Sequence, residues 1–239
     1  MSCEAVQTGM LAAEKAYNRA GIYRNASVLF SDAPSLEMLH ELVDAATDAM
    51  SDEQANPMRE SERVYYGYLR DRWHSCDEDA RRAIASEYAE LFVGPRPPLA
   101  PLYESVYLGF PNRLFTDQTL SVKRFYEQCG LAVVKDGRVP DDHMAYELEL
   151  MARLAQREAE ALENDDVDGA CNARELERSF VVEHLSLWAG LFANRVSEAD
   201  CSDFYAALSE FVHRFVDEDA AYLDGLCGNG LETVSEKTA

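Results

Sequence analysis

The sequence predicts an all-α, helical-bundle-like single domain made of two helical halves joined by a hinge loop. Apolar residues recur at spacings of three and four along most of the 239 residues, which is the period of an amphipathic helix. No stretch alternates apolar and polar residues as a half-buried strand does. Hydrophobic residues make up 47% of the chain, so such a bundle has material for a sizeable core.

The first half, residues 1–133, carries the patterns of five helices. Ser35 is placed to cap the second helix and Asp77 or Asp79 to begin the fourth, because short polar side chains satisfy the free amides of a helix start. Gly130 is a natural stop for the fifth. The helices are expected at about residues 3–30, from 36 onward, 60–74, from 77 or 79 to 92, and 117–129.

A proline-rich segment interrupts this half between Gly94 and Pro101. Four of its eight residues are proline, and proline in a helix interior removes a hydrogen bond and clashes with the preceding turn. The segment is therefore expected to be a stiff, extended connector. A second connector, the hinge at residues 134–140, is expected to join the two halves.

The hinge leads into a helix that begins with Pro140-Asp141-Asp142-His143. Proline suits the first helical position, and acidic side chains suit the first turn, at the positive end of the helix dipole. We therefore expect Asp142 and His143 at the exposed mouth of a helix whose body lies in the core. An acid in the first turn is also an ordinary helix-start signal. An apolar stripe at helical spacing follows: Met144, Leu148, Met151 and Ala155.

Two strong helical patterns close the second half, residues 140–228. The helix that begins at Pro140 fades into an acidic stretch ending near Gly169. The last helix is expected to end at Gly228-Asn229-Gly230, and residues 229–239 to form a disordered tail. Between the helix that begins at Pro140 and the last helix, a further helix presents a single apolar face. On this face His184 is expected to be a hydrogen-bonded core residue. Its other members are Phe180, Val181, Leu187, Trp188, Leu191 and Phe192.

The composition restricts the possible partners and the compartment. A formal net charge of −22 argues against nucleic acid and anionic membranes, because both attract basic proteins. Six scattered cysteines without C-x-x-C spacing indicate free thiols in a reducing compartment. No apolar run is long enough to span a membrane, and no export signal is recognised at the N-terminus. A cytoplasmic protein without stable membrane insertion is therefore expected.

The sequence contains no familiar motif for catalysis, cofactors or metals. There is no phosphate-binding glycine loop, no dinucleotide fingerprint and no H-E-x-x-H pair, so neither a cofactor nor a metal site is predicted. Asp142 and His143 could form an acid/base pair, although neighbouring residues of a helix point in different directions. A nucleotide-binding protein or small hydrolase that uses these two residues is the alternative from a different functional class.

An aromatic-rich stretch has two interpretations. Tyr88, Phe92, Tyr103 and Tyr107 are either core residues or the lining of a groove whose edge carries the carboxylates of Glu104 and Asp142. Such a groove would suit a peptide with apolar and cationic residues. Arginine fits it best, because its guanidinium pairs with carboxylates and stacks on aromatic faces.

Several runs in a fixed order resemble the TorD/DmsD family of cytoplasmic maturation chaperones for molybdenum-containing redox enzymes. The family pattern is an aromatic-x-x-Leu-Phe-x-Gly-Pro run, a proline-rich link to a Ser-Val-aromatic, and a later E-P-x-D-H. Val139 stands where the last motif usually has Glu. Residues 180–192 and 23–30 also resemble family helices. The matching runs are YAELFVGP at 88–95, APLYESVY at 100–107 and PDDH at 140–143.

The resemblance implies a non-catalytic, all-helical protein. Members bind the twin-arginine signal peptide and the apo-form of an exported molybdopterin oxidoreductase, assist cofactor insertion and prevent premature export. A monomer or a half-exchanged dimer is implied, and Asp142 and His143 are expected to be the polar centre of the site. With Glu104 at the groove edge and Pro140 in the last motif, the full signal-peptide-binding set is Tyr88, Leu91, Phe92, Tyr103, Glu104, Ser105, Tyr107, Pro140, Asp142 and His143.

Two further interpretations stay open. One is an assembly chaperone of the nitrate-reductase type, which grips the mature enzyme rather than its leader. The other is a purely structural helical adaptor in which Asp142 and His143 only begin a helix.

Overall fold

Helices make up nearly all the regular structure of the protein. The computed structural model describes residues 3–51, 58–109, 117–133 and 139–235. No strand occurs within these ranges, and the all-α prediction is confirmed. The helices are α1 Cys3–Ser31, α2 Leu36–Ser51, α3 Glu60–Trp73, α4 Glu78–Tyr88, α5 Glu104–Leu108, α6 Asp117–Gln128, α7 Met144–Glu163, α8 Val167–Phe180, α9 Ser186–Ala199 and α10 Asp203–Ser235, with π-helical turns at Ala89–Val93 and Val181–Leu185.

Local helix signals in the first half are confirmed. The Ser35 hydroxyl accepts a hydrogen bond from the Met38 amide at 3.1 Å, at the start of α2. The Asp77 carboxylate accepts from the amides of Asp79 and Ala80, at 3.1 and 2.9 Å, and so caps α4. Gly130 follows α6 with φ of +67°, a conformation that favours glycine because it has no Cβ.

The expected start of α7 is wrong by four residues. The helix begins at Met144, with His143 as its N-cap, so Pro140, Asp141 and Asp142 precede it. The reason is a backbone pairing that the sequence pattern does not show: His143 forms an isolated antiparallel bridge with Tyr103. This bridge holds His143 extended, at φ −81° and ψ 134°, which is not a helical conformation.

The predicted apolar stripe of α7 is confirmed. Its side chains are fully buried, as are other apolar side chains of the same helix. The stripe therefore anchors the helix that follows the Tyr103–His143 bridge. Its members are Met144, Leu148, Met151 and Ala155.

Two residues of the predicted face at 180–192 lie on the surface. Leu187 and Leu191 are 51% and 47% exposed, whereas Leu185, which was not assigned to the face, is buried. The wide turn at Val181–Leu185 explains the difference, because a π-helical turn takes up about one residue more than an α-helical turn. Side chains after it are displaced around the helix from the positions that a regular α-helical count predicts.

Two helix boundaries in the second half also differ from expectation. The helix that precedes the acidic stretch, α7, continues to Glu163, and α8 begins at Val167, so only residues 164–166 separate the two helices. The Asp166 carboxylate caps α8 by accepting a hydrogen bond from the Gly169 amide at 2.9 Å. The last helix does not stop at Gly228–Gly230 but continues to Ser235. Of the expected tail, residues 236–239 lie outside the described residues.

The chain divides into two compact units. The first contains residues 1–27, 103–187 and 219–239, and the second contains residues 28–102 and 188–218. Neither unit is a consecutive half of the chain. Most of the expected hinge, residues 134–138, lies outside the described residues. Within the described ranges, no helix combines the length and the apolar character that crossing a membrane requires.

Candidate functional site

The ten residues expected to bind a peptide are distributed over both units. Three of them belong to the second unit and seven to the first. The seven come from two short segments that the Tyr103–His143 bridge joins. The second-unit residues are Tyr88, Leu91 and Phe92, and the first-unit residues are Tyr103, Glu104, Ser105, Tyr107, Pro140, Asp142 and His143.

The three residues of the second unit lie in its aromatic core. Leu91 is fully buried, and Tyr88 and Phe92 are nearly so. The Tyr88 hydroxyl donates to the Phe30 carbonyl oxygen at 3.2 Å. These side chains therefore pack the unit and do not line an accessible wall. The rings within 5.1–6.1 Å of the Phe92 ring are those of Phe30, Tyr88, Phe192 and Tyr205.

Asp142 connects the two segments of the first unit. Its Oδ2 accepts a hydrogen bond from the Ser105 amide at 2.9 Å, and its backbone oxygen accepts one from the Glu104 amide at 3.0 Å. The side chain is 0% exposed, so the expectation of a surface carboxylate at Asp142 is wrong. Two atoms beside these bonds, Oδ1 of Asp142 and Oγ of Ser105, are buried without a hydrogen-bond partner in the described structure.

His143 is held in one orientation by its own helix. As the N-cap of α7, its Nδ1 accepts a hydrogen bond from the Ala145 amide at 3.2 Å. Burial lowers the pKa of the imidazole from 6.5 to about 4, against the opposing effect of the Asp142 carboxylate. The ring is therefore neutral at pH 7. Because Nδ1 accepts, the proton resides on Nε2, which makes Nε2–H a hydrogen-bond donor.

Aromatic rings surround His143 on the half-exposed side of the site. The Tyr103 ring meets the imidazole edge to face, with centroids 5.1 Å apart, and the Tyr146 ring lies at 5.3 Å. Burial raises the pKa of the Tyr103 phenol, and Asp142 and Tyr146 raise it further, so the phenol stays protonated at neutral pH. Sequence reasoning missed Tyr146, although its place three residues after His143 on a helix was a usable signal.

Glu104 does not lie at the edge of a groove. It is 2% exposed, and its Oε2 lies 2.9 Å from Nδ1 of His184. The predicted role of His184 as a hydrogen-bonded core residue is confirmed, since the ring is buried and stacks on Phe180 with centroids 4.9 Å apart. No local pattern could have shown this pair, because its members are 80 residues apart.

The accessible part of the site consists of rings and one imidazole donor. Tyr103, Tyr107 and His143 are partly exposed, whereas Ser105 and Pro140 are buried. Among the described residues, no group of three or more His, Cys, Asp or Glu side chains could hold a metal ion. The arrangement can therefore offer stacking surfaces and a hydrogen-bond donor to a peptide.

Comparison with known proteins decides the family. A family model described as nitrate reductase delta subunit matches residues 55–194, more than half of the chain. This chain belongs to that family, the TorD/DmsD family of redox-enzyme maturation chaperones. The resemblance in the three sequence runs is thereby confirmed, and the family is one of chaperones rather than enzymes.

Two curated relatives show how far the similarity of this TorD/DmsD family member extends. The chaperone protein TorD of Shewanella pealeana is 30% identical over 149 residues, which cover 59% of this chain and 61% of that protein. The probable Tat proofreading chaperone DmsD of Haemophilus influenzae is 29% identical over 133 residues, covering 56% and 58%. The matches thus span about six tenths of the length of these relatives.

One solved structure is also similar. It is that of a putative redox enzyme maturation protein from Archaeoglobus fulgidus, with 19% identity and a TM-score of 0.44 over 83% of this chain and 93% of that one.

Substitution of Asp142 tests its role as the connector. Asp142→Ala removes the acceptor of the Ser105 amide and is expected to lower the free energy of unfolding by about 1–3 kcal/mol, the cost of a buried donor left unpaired. Asp142→Asn keeps an acceptor oxygen and should cost less. Urea denaturation of both variants measures the difference. Equal losses would show that the bond to Ser105 contributes nothing.

Proposed function

We propose that this protein is a chaperone that binds the twin-arginine leader and the apo-form of an exported molybdopterin oxidoreductase. Held in this complex, the client receives its cofactor and is kept from premature export. Membership of a maturation-chaperone family supports the first part of the proposal. The name of the Haemophilus relative, a probable Tat proofreading chaperone, supports the part that concerns the leader.

The observation that carries the leader-binding proposal is the fixed, neutral imidazole of His143 beside the Tyr103 ring. Nδ1 is engaged by the Ala145 amide, and no contact of the described residues uses Nε2. The Nε2–H group therefore suits a carbonyl oxygen of a bound peptide. The rings of Tyr103 and Tyr107 suit apolar side chains or the flat face of a guanidinium.

The buried polar residues have a different role from these rings. Asp142 and Ser105 hold the two segments together, and Glu104 is engaged with His184. We therefore assign peptide contact to Tyr103, Tyr107 and His143. Positioning of these contacts is assigned to Glu104, Ser105, Pro140 and Asp142, and packing of the second unit to Tyr88, Leu91 and Phe92.

The acidic chain supplies attraction to the arginines at longer range. With a net charge of −22, the protein attracts a cationic leader before contact, and this effect decreases as salt screens it. Neither Asp142 nor Glu104 is accessible for a direct pair with arginine. The salt dependence is therefore expected mainly in the association rate.

Calorimetric titration with a synthetic twin-arginine leader of a molybdoenzyme tests the proposal. The control is the same leader with both arginines changed to lysine, which keeps the charge but loses the planar guanidinium. If the lysine leader binds about tenfold or more weakly than the arginine leader, the site recognises the guanidinium group of arginine. Failure of several such leaders to bind would refute the leader-binding part.

Variants of His143 locate the site. His143→Asn keeps a side-chain oxygen that can cap α7 but removes the ring, so it should preserve stability and weaken leader binding about tenfold, the value of one lost hydrogen bond and ring contact. Because burial holds the His143 pKa near 4, wild-type binding should not follow its titration between pH 6 and 8. The exposed His74 provides the control His74→Asn. Unchanged binding by His143→Asn would place the site elsewhere.

A second candidate function is favoured by the description of the family model, nitrate reductase delta subunit. In this function the chaperone binds the mature part of its client enzyme rather than the leader. Titration with an apo-enzyme that lacks its leader separates the two functions. Binding of equal strength with and without the leader would favour the second candidate.

A further inference from the structure

A buried ionic cluster lies in the first unit and contains none of the ten candidate peptide-binding residues. Arg19 of α1 is only 3% exposed, yet three buried carboxylates surround its guanidinium. Asp219 of α10 accepts from Nε at 2.7 Å and from Nη2 at 3.0 Å. Glu158 of α7 accepts from Nη1 at 2.8 Å, and Glu177 of α8 accepts from Nη2.

Other side chains of α1, α8 and α10 complete the cluster. Arg174 of α8 donates its Nε–H to Glu158 and is partly exposed. The Tyr23 hydroxyl of α1 donates to Asp219 at 2.9 Å. The ring of Tyr222 on α10 lies 5.5 Å from the Arg19 guanidinium carbon and contributes a cation–π contact.

The charges of this cluster do not balance when every acid is ionised. Three carboxylates would then face two cations, and an uncompensated buried charge is costly enough that such a group takes up a proton instead. The Asp219 carboxylate accepts three hydrogen bonds, and the Glu158 carboxylate accepts two from arginine side chains. Glu177 has one, and its Oε1 is buried without a partner in the described structure.

We propose that Glu177 holds a proton in the folded protein at neutral pH, and that release of this proton weakens the packing of α1 and α10 against α7 and α8. With Glu177 neutral, Arg19 and Arg174 balance Glu158 and Asp219. The cluster thus makes the stability of the first unit depend on pH. This inference rests on these contacts alone and is independent of the proposed function.

The direction in which pH changes the stability follows from the pKa of Glu177 in the folded and in the unfolded chain. Burial raises the pKa of Glu177 from 4.5 to about 8; Arg19 opposes the shift, and Glu158 and Asp219 add to it. Between these values the folded chain keeps a proton that the unfolded chain releases. Stability therefore falls as pH rises from about 4.5 to 8, by up to about tenfold in the unfolding equilibrium constant per pH unit.

Paired glutamine variants test the proposal. Glu177→Gln has nearly the shape of the protonated acid but cannot ionise. Glu175→Gln, two residues earlier on α8 and exposed, changes the net charge equally. Urea unfolding of both variants and of the wild type is compared between pH 5 and 9. Only Glu177→Gln should lose a component of the pH dependence, equivalent to about one proton. Equal pH slopes in all three proteins would overturn the proposal.

A second measurement does not depend on the stability of the variant. Infrared difference spectra of the wild-type protein between pH 6 and pH 9.5 should show the loss of the carbonyl band of a buried, protonated carboxylic acid. Hydrogen-exchange protection factors, which remove the intrinsic increase of exchange with pH, should fall in α1 and α8 over the same range. A protein without this band at pH 6 would show that Glu177 is ionised, and the proposal would be wrong.

Discussion

Replacing Arg19 by methionine is expected to lower the free energy of unfolding by about 3–5 kcal/mol, because breaking a buried ion pair leaves uncompensated charge behind. Arg19 donates to three buried carboxylates, so the variant keeps every acid and loses the cation that all of them share. Methionine fills part of the same volume, which limits the contribution of an empty cavity. Urea denaturation followed by circular dichroism measures the loss.

Arg24→Met is the matched control for this substitution. Arg24 lies on the same helix, is exposed, and donates a single hydrogen bond to the neutral Gln156 at 2.7 Å. Its removal should change stability by no more than about 0.5 kcal/mol. The difference between the variants should also be larger at pH 8 than at pH 5, since acids left without Arg19 can accept protons at the lower pH. Similar small effects of both substitutions would mean that the cluster does not stabilise the unit.

Replacing Phe92 by alanine is expected to cost about 3–5 kcal/mol of stability, the usual range for removing a buried phenylalanine ring. The ring is in contact with four other aromatic rings of the second unit, so its loss leaves a cavity that several elements border. The resemblance to the family assigns Phe92 to leader binding, and the structure places it in the core. Stability and leader affinity are therefore measured on the same variant.

Val93→Ala is the control, because the neighbouring Val93 side chain is 61% exposed. It should leave stability within about 0.5 kcal/mol of the wild type. If Phe92→Ala unfolds at the wild-type urea concentration but no longer binds the leader, Phe92 is a contact residue and its assignment to packing is wrong. If stability falls by the expected amount, any weakening of leader binding is explained by the damaged core.

Local signals in the sequence were sufficient for most helices. The capping residues Ser35 and Asp77, the glycine after α6 and the apolar stripe of α7 depend on neighbours within a few residues. Such interactions are encoded by spacing, so they can be found without a structure. The π-helical turn at Val181–Leu185 is one exception, since a regular α-helical count places Leu187 and Leu191 on the wrong side; the start of α7 and the end of α10 are two others.

The candidate site could be predicted only in part, because its geometry depends on pairs that are distant in sequence. The PDDH motif at 140–143 identified Asp142 and His143 as candidates. The backbone bridge between Tyr103 and His143 decides that Asp142 is buried and that His143 caps α7. The pairing of Glu104 with His184 has no local signature. A residue's place in a family motif therefore did not reveal whether its side chain faces the solvent or the core.

The bonds of Arg19 have a consequence for folding during synthesis. Its carboxylate partners are 139, 158 and 200 residues further along the chain. At a translation rate of about 5–20 residues per second, Asp219 leaves the ribosome roughly 10–40 s after Arg19. During that interval α1 has no complete set of partners, and contacts of such long sequence separation also form slowly. Although α1 is made before the helices that hold its carboxylate partners, it is thus among the last of these helices to reach its final environment.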